Sequence, residues 1–355
     1  MKERGAIFQV GAERAGGVCF RLMSASTNFR RAFSGRRVLI TGGLGFVGSN
    51  LAHRLVALGA RVTIVDALIP EYGGNRRNLA GVAGKVRVHR ADVRDWSRLA
   101  GLVRGQHFLF NLAGQTSHMD SMTDPQTDLD INGRAQLAIL EACRVHNPKI
   151  RIVFASTRQI YGKPDYLPVD EKHPSRPVDV NGINKLAGEE FHLLYSRVHG
   201  IRATALRLTN TIGPRMRIKD ARQTFVGVWI RRLLEGKSFE VWGGAQLRDF
   251  TDVDDAVDAF LLAASRDAAV GKVFNLGGPP PVTLRRLAEL QVAINGGGKF
   301  VVKKFPRDRK KIDIGDYYAD DRLIGRALGW RPRTSLRAAL TKTLAYYRKE
   351  LRHYT

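Results

Sequence analysis

The chain of 355 residues is 44% hydrophobic and 26% charged, enough for one large α/β domain and a smaller lobe. No stretch approaches about 18 uninterrupted apolar residues, which excludes a spanning helix, and two distant cysteines, Cys19 and Cys143, exclude a disulfide framework and suit a reducing, cytoplasmic setting. The net charge of +25 favours anionic partners, although residues 1–37, 303–311 and 331–355 supply +6, +5 and +6 of it, and the two ends read as solvated basic surface.

Residues 1–34 show no sustained periodicity and are read as a basic, disordered tail outside the fold, with Met23 as an alternative start. From Arg37 the pattern is regular. VLIT (38–41) is a short apolar run followed at once by glycines, and SNLAHRLVALG puts Leu51, Leu55 and Leu58 on one helical face with Gly59 as the stop. RVTIVD (61–66), KVRVHR (85–90), HFLFNLAG (107–114) and IRIVFAS (150–156) read as strands, and residues 130–146 and 182–199 as helices. TALRLTNTIGP (204–214) and KVFNLGG (272–278) read as later strands of the same sheet. Apolar strands alternating with helices predict an α/β fold, a doubly wound, Rossmann-like parallel sheet with a smaller C-terminal lobe. The expected boundaries are 35–210 for the nucleotide-binding domain, with 246–278 returning to it, 211–245 and 279–345 for the substrate lobe, and 346–355 for a basic tail.

Ligands of such sheets bind beyond the carboxyl ends of the strands, and the informative residues stand there. ITGGLGFVGSN holds Gly43, Gly45 and Gly48 in G-x-G-x-x-G spacing, with Gly42 making an overlapping register. The run lies between a strand and a helix, and Asp66 closes the next strand, the context that makes a glycine run a dinucleotide fingerprint. Bare backbone at Gly42, Gly45, Phe46, Val47 and Gly48 can approach a pyrophosphate, whose charge the helix N-terminus favours. Asp66 can accept hydrogen bonds from ribose hydroxyls and repel a 2′-phosphate, so NAD is preferred over NADP. Asp92 and Val93 follow the third strand, where an adenine could rest; a helix cap is an equal reading of Asp92.

TGGLGFVG, the Asp66 strand end, NLAG (111–114), Ser156-Thr157 with Tyr161-Gly162, Lys185 in its helix, LRLTNTIGP, RDFTDVDDAVDAF and LGWRP follow one another in order. Together they resemble the extended short-chain dehydrogenase/reductase family, in its nucleotide-sugar epimerase/dehydratase branch, over about residues 36–345. The resemblance implies an NAD-dependent enzyme acting on a nucleoside-diphosphate sugar by transient hydride removal. It implies Leu112 and Ala113 beside the cofactor, and Ser156 and Thr157 at the reacting sugar hydroxyl. Lys185 then holds the nicotinamide ribose, Asn210 contacts the sugar nucleotide, and Arg248 takes the diphosphate. Arg309, in the basic run 303–311, could add to the same positive field. The resemblance also implies a homodimer through helices 130–146 and 182–199, with Leu137, Leu140, Leu193 and Leu194 as candidate contacts. Neither a metal nor a membrane partner is expected, and nucleic acid ranks well below the sugar nucleotide.

Two departures stand out. The family's proton-accepting tyrosine lies four residues before the lysine, and here that position is Asn181, whose amide cannot act as a general base near neutral pH. Asn181 also reads plainly as a helix cap. Family dehydratases place Asp-Glu directly after the Thr157 position, whereas this chain has Arg158-Gln159. An isomerising reaction is therefore expected ahead of water loss or decarboxylation, with a catalytically silent NAD- or RNA-binding protein as the contrasting reading. His118 and Asp120 are candidate replacement acid/base groups.

Overall fold

The computed structural model describes residues 28–278 and 280–355, without the side chains of Pro70, Asp308 and Arg309. Seven parallel strands make the main sheet. Strands β1 (Arg37–Thr41), β2 (Arg61–Asp66) and β3 (Val86–Arg90) step outward in one direction. Strands β4 (Phe108–Asn111), β5 (Arg151–Thr157), β6 (Arg202–Leu208) and an edge strand, Val273–Asn275, step outward in the other. The order reverses where β1 pairs with β4, Thr41 opposite Asn111, so a crevice opens beyond the carboxyl ends of those two strands.

Alternate residues of β1 serve opposite faces. Val38 and Ile40 pack with helices Phe46–Ala57 and Val253–Ser265, and Leu39 packs against helices Trp96–Val103, Ala135–His146 and Val180–His199. That two-sided burial is why these strands read as unbroken apolar runs. A second core gathers Trp229, Phe239 and Leu340 from helices Phe225–Leu234 and Leu336–Glu350 and a two-stranded sheet, Phe239–Trp242 with Phe300–Lys303. The doubly wound sheet is as expected, and Gln223 and Thr224, just before the helix Phe225–Leu234, border the crevice.

Both expected tails are corrected in part. Residues 28–33 are helical, and Phe29 and Phe33 are buried in the main core, with the Phe33 and Phe108 rings 4.9 Å apart. The rest of the expected N-terminal tail, residues 1–27, lies outside the described residues. At the other end Tyr347 is fully buried, and the hydroxyl of buried Tyr354 donates to Asn78 Oδ1 at 2.6 Å. Asn78 in turn donates to the carbonyl of Leu44 in the glycine turn (2.8 Å), so the chain end fastens the cofactor loop. Basic residues on the outer faces of both segments mask a few aromatic anchors, whose burial outweighs the polar composition.

The helix expected at 130–146 begins differently. A short helix, Pro125–Leu129, runs into a π-helical turn, Asp130–Arg134, before the regular helix Ala135–His146. The wide turn is a common device at functional sites, and here it turns Asn132 toward the crevice wall. The long helix starts at Val180 and is capped by Asp179, whose Oδ1 accepts from Gly182 N at 2.7 Å. Asn181 is therefore not the cap that its type suggested; it sits inside the first turn.

Candidate active site

The cofactor side of the crevice is built by the turn between β1 and its helix. Gly42 has φ +70°, and a Cβ there would stand 2.9 Å from the Ala113 backbone, so the turn packs directly on the loop after β4. Leu112 N and Ala113 N both donate to Thr41 Oγ1, at 3.1 and 3.2 Å, which ties that loop to β1. Gly45, Phe46, Val47 and Gly48 line the same cavity beside Leu112 and Ala113. Asp66 closes β2 with its carboxylate accepting from Leu44 N (2.9 Å) and Leu68 N (2.8 Å). Burial pushes its pKa up, while those two backbone donors oppose the shift. The remaining lone pairs can accept two ribose hydroxyls, so bare backbone, a helix N-terminus and a positioned carboxylate together fit an adenine dinucleotide.

Asp92 and Val93 lie on the same wall, but the Asp92 carboxylate is engaged by Arg94 N at 2.9 Å and by Arg94 Nη2 at 2.7 Å. It closes its own turn; the cap position of the following helix belongs to Asp95. Asp92 thus offers an adenine a carboxylate already held by a guanidinium.

At the reaction end, Ser156 and Thr157 finish β5. Thr157 Oγ1 accepts from Gln159 N at 3.2 Å, capping a 3-10 turn, whereas the buried Ser156 hydroxyl has no partner among the described residues. Lys185 is nearly fully buried and donates from Nζ to the Ala155 carbonyl at 3.2 Å, with the Phe154 ring centroid 5.0 Å away. Burial lowers its pKa to about 8, against a raising influence from Asp128. A Cβ at Gly114 would lie 2.9 Å from Nζ, so glycine there leaves the ammonium its place.

Asp128 is the residue that sequence reasoning missed. Fully buried, its carboxylate accepts from three amides: Asn184 Nδ2 on Oδ1 (2.8 Å), and Asn181 and Asn132 Nδ2 on Oδ2 (3.0 and 3.1 Å). Asn181 donates also to the Gln115 carbonyl at 2.8 Å. Both Asn181 amide protons are thereby directed into the protein, and its oxygen is left as an acceptor on the cavity wall. The available signal was weak: Asp128 and Asn132 share a four-residue spacing, and VDVNGINK sets Asn181 and Asn184 one turn apart.

Nearby tyrosines do not replace the missing base. The fully buried Tyr161 hydroxyl donates to Asn275 Oδ1 (2.7 Å) and accepts from Arg207 Nη1 (2.6 Å), and burial pushes its pKa up to about 12. Tyr166 is exposed and bonded to Asp170 at 2.7 Å. Asp120 is occupied as well, accepting from Arg222 Nε at 2.7 Å across the mouth of the crevice. His118 is different. Its Nδ1 stands 3.0 Å from Oδ2 of buried Asp179, the ring is 38% exposed, and it borders both the cofactor cavity and the adjoining outer cavity. Burial raises the Asp179 pKa, but His118 and the amide donors Gly182 N and Gln159 Nε2 overcome it, leaving a net depression.

The outer cavity is walled by Phe225, Trp229, Trp242 and Phe305, with Arg222 and Arg232 among its cations. Asn210 Oδ1 accepts from Arg158 Nη2 at 3.1 Å, and its amide donates to the Asp249 carbonyl at the same distance. Arg248 borders this cavity but is largely committed to the protein: Nη1 donates to the Leu247 and Gly315 carbonyls, and Nη2 lies 3.4 Å from Asp313 Oδ1. Burial, reinforced by the Arg158 charge, lowers its pKa to about 10. The Arg309 side chain lies outside the described residues. Among the described residues no cluster of three or more His, Cys, Asp or Glu side chains could hold a metal ion.

An open parallel sheet, a glycine turn, a carboxylate at the end of β2 and a buried lysine beside a strand-end Ser-Thr pair define a Rossmann-type, NAD-binding protein of the extended short-chain dehydrogenase/reductase class. The chain belongs to the NAD-dependent epimerase/dehydratase family, whose model matches residues 38–277. It is 31% identical to a putative UDP-glucose 4-epimerase of Methanocaldococcus jannaschii over 89% of this chain and 99% of that one. It is 30% identical to UDP-glucuronic acid decarboxylase 1 of Xenopus tropicalis over 90% of this chain and 73% of that one. Its fold matches that of the Thermus thermophilus UDP-glucose 4-epimerase in complex with NAD, with a TM-score of 0.78 at 27% identity over 88% and 99% of the two chains. The cofactor is NAD.

Proposed function

We propose that the chain is an NAD-dependent epimerase, or a closely related isomerising enzyme, of a nucleoside-diphosphate sugar. The observation that carries this reading is the buried Ser156 hydroxyl, without a partner among the described residues, next to Thr157 and the buried Lys185 ammonium, all on the cofactor cavity. NAD bound there would supply a reversible hydride acceptor for a sugar carbon. Ser156 and Thr157 hold the reacting hydroxyl, Lys185 supplies positive charge beside it, and Asn181 offers a fixed acceptor. Asp66 accepts from the adenosine ribose, Arg232 favours the diphosphate, and the aromatic wall of the outer cavity suits a nucleobase.

The proton of the sugar hydroxyl goes to His118, whose Nδ1 stands 3.0 Å from the Asp179 carboxylate. Water loss is the second reading, and it is disfavoured because Arg158 and Gln159 cannot act as its acid and base. A homodimer is the proposed state: Leu137 and Leu194 are exposed, as are Val145 and Val198 on the same helices, whereas Leu140 is spent in the intrachain core.

The decisive experiment incubates the protein with a panel of sugar nucleotides in deuterated water and follows them by NMR. An epimer without solvent deuterium at the inverted carbon is the expected result. Loss of water or carbon dioxide would favour a lyase, and no product across the panel would leave a binding protein. His118→Ala should lower kcat by about 10²–10⁴-fold with NAD affinity unchanged; unchanged kcat would remove His118 from the chemistry. NAD should bind much more tightly than NADP, and Asp66→Ala should narrow that gap. Equal affinities of the unmodified protein, by calorimetry, would contradict the role given to Asp66.

A further inference from the structure

Arg158 stands at the junction of the two cavities, one residue after Thr157, and it borders both. Its Nη2 donates to the neutral side chain of Asn210 at 3.1 Å, and its guanidinium carbon lies 5.2 Å from the Tyr317 ring centroid. Nη1 is buried and has no hydrogen-bond partner among the described residues. Burial of this kind normally comes with a carboxylate fitted to the guanidinium, because an uncompensated charge in a low-dielectric interior is costly.

No carboxylate of the described protein hydrogen-bonds to Arg158. Asp249, Asp313 and Asp179 act on it only through their fields, and each has other partners: Asp249 with Thr209 Oγ1 and Ala319 N, Asp313 with Arg248, Asp179 with His118 and two amides. A neighbouring cation, Arg248, adds to the local positive field. The site is thus assembled with a forked, partly unused cation beside the strand end that holds the reacting sugar hydroxyl.

We infer that Arg158 receives an anionic substituent on the sugar itself, a carboxylate, so that the substrate class is a nucleoside-diphosphate uronic acid. The inference rests on the sugar-nucleotide reading above. The diphosphate is the other anion available, but Arg222 and Arg232 line only the outer cavity, whereas Arg158 shares a wall with Ser156, Thr157 and Lys185. Guanidinium geometry suits a carboxylate, which it can grip through two parallel N–H···O bonds.

The test is calorimetric titration of the NAD-loaded protein with UDP-glucuronate, UDP-glucose and UDP, so that binding is read independently of turnover. UDP-glucuronate should bind about 10- to 100-fold more tightly than UDP-glucose, the range of a charge-assisted hydrogen bond. Arg158→Gln, which keeps an amide donor for Asn210, should erase that difference while leaving UDP and UDP-glucose within a few-fold. Arg158→Lys should restore part of it, which separates lost charge from lost packing. Equal losses for all three ligands would assign Arg158 to the diphosphate or to the fold and overturn the inference while leaving the sugar-nucleotide reading intact. Tight UDP-glucose binding with no preference for UDP-glucuronate would also overturn it. Binding of none of the three would overturn the sugar-nucleotide reading and this inference together.

Discussion

Lys185→Ala is expected to reduce turnover to background, a loss of at least about 10²–10³-fold in kcat, the usual consequence of removing one preorganised charged donor from a dry site. The side chain has only 6% of its surface exposed and is aimed by the Ala155 carbonyl and the Phe154 face, so water does not replace it well. Lys185→Met keeps the apolar stem and should be as inactive as the alanine variant, which separates charge from packing. Burial sets the ammonium pKa at about 8, so its charge is mostly present at pH 7 and is lost as pH rises through 8. Turnover of the unmodified protein should fall over that window. Retention of full activity by Lys185→Met would contradict the role given to this lysine.

Asp128→Ala is expected to be the most destabilising single change at the site, by about 3–5 kcal/mol in urea unfolding, the range seen when one partner of a buried charged network is removed. The carboxylate is fully buried and accepts from Asn132, Asn181 and Asn184, three donors that lose this acceptor on truncation. Its charge also raises the Lys185 pKa, so its removal should shift the alkaline limb of the rate profile to lower pH. Asp128→Asn removes the charge at nearly constant shape and should show that pH shift with a smaller stability loss. A stable Asp128→Ala protein with an unmoved pH profile would show that the three-amide network matters neither to folding nor to the lysine.

The positions of Asn181 and Lys185 illustrate how far a linear pattern reaches. Their four-residue spacing puts both on one face of a helix, and the absence of a tyrosine is visible from residue type alone. What Asn181 does instead is not visible. Its partners, Gln115 and Asp128, are 66 and 53 residues away and meet it only because β4 and β5 are neighbours in the sheet. The tails show the same limit: composition reports the charge of residues 28–33 and 346–355, while burial of Phe33, Tyr347 and Tyr354 depends on surfaces contributed by distant strands and helices.

The sequence by itself determined the doubly wound sheet, the glycine turn, the Asp66 carboxylate at the end of β2 and the strand-end Ser156-Thr157 pair. These follow from short-range physics: hydrophobic period, the conformational freedom of glycine at φ > 0, and the rule that ligand residues follow the strands. Only the tertiary structure decided that Asp128 anchors three asparagines, that His118 meets Asp179, and that Arg158 stands beside Asn210 with no carboxylate of the described residues bonded to it. Apart from the Asp128–Asn132 pair, four residues apart, each of these is a contact between segments roughly 50 or 60 residues apart, and such contacts carry no local period. They arise when the β1–β4 reversal and the packing of the long helix bring separate loops to one crevice, where burial makes every charge and hydrogen bond count.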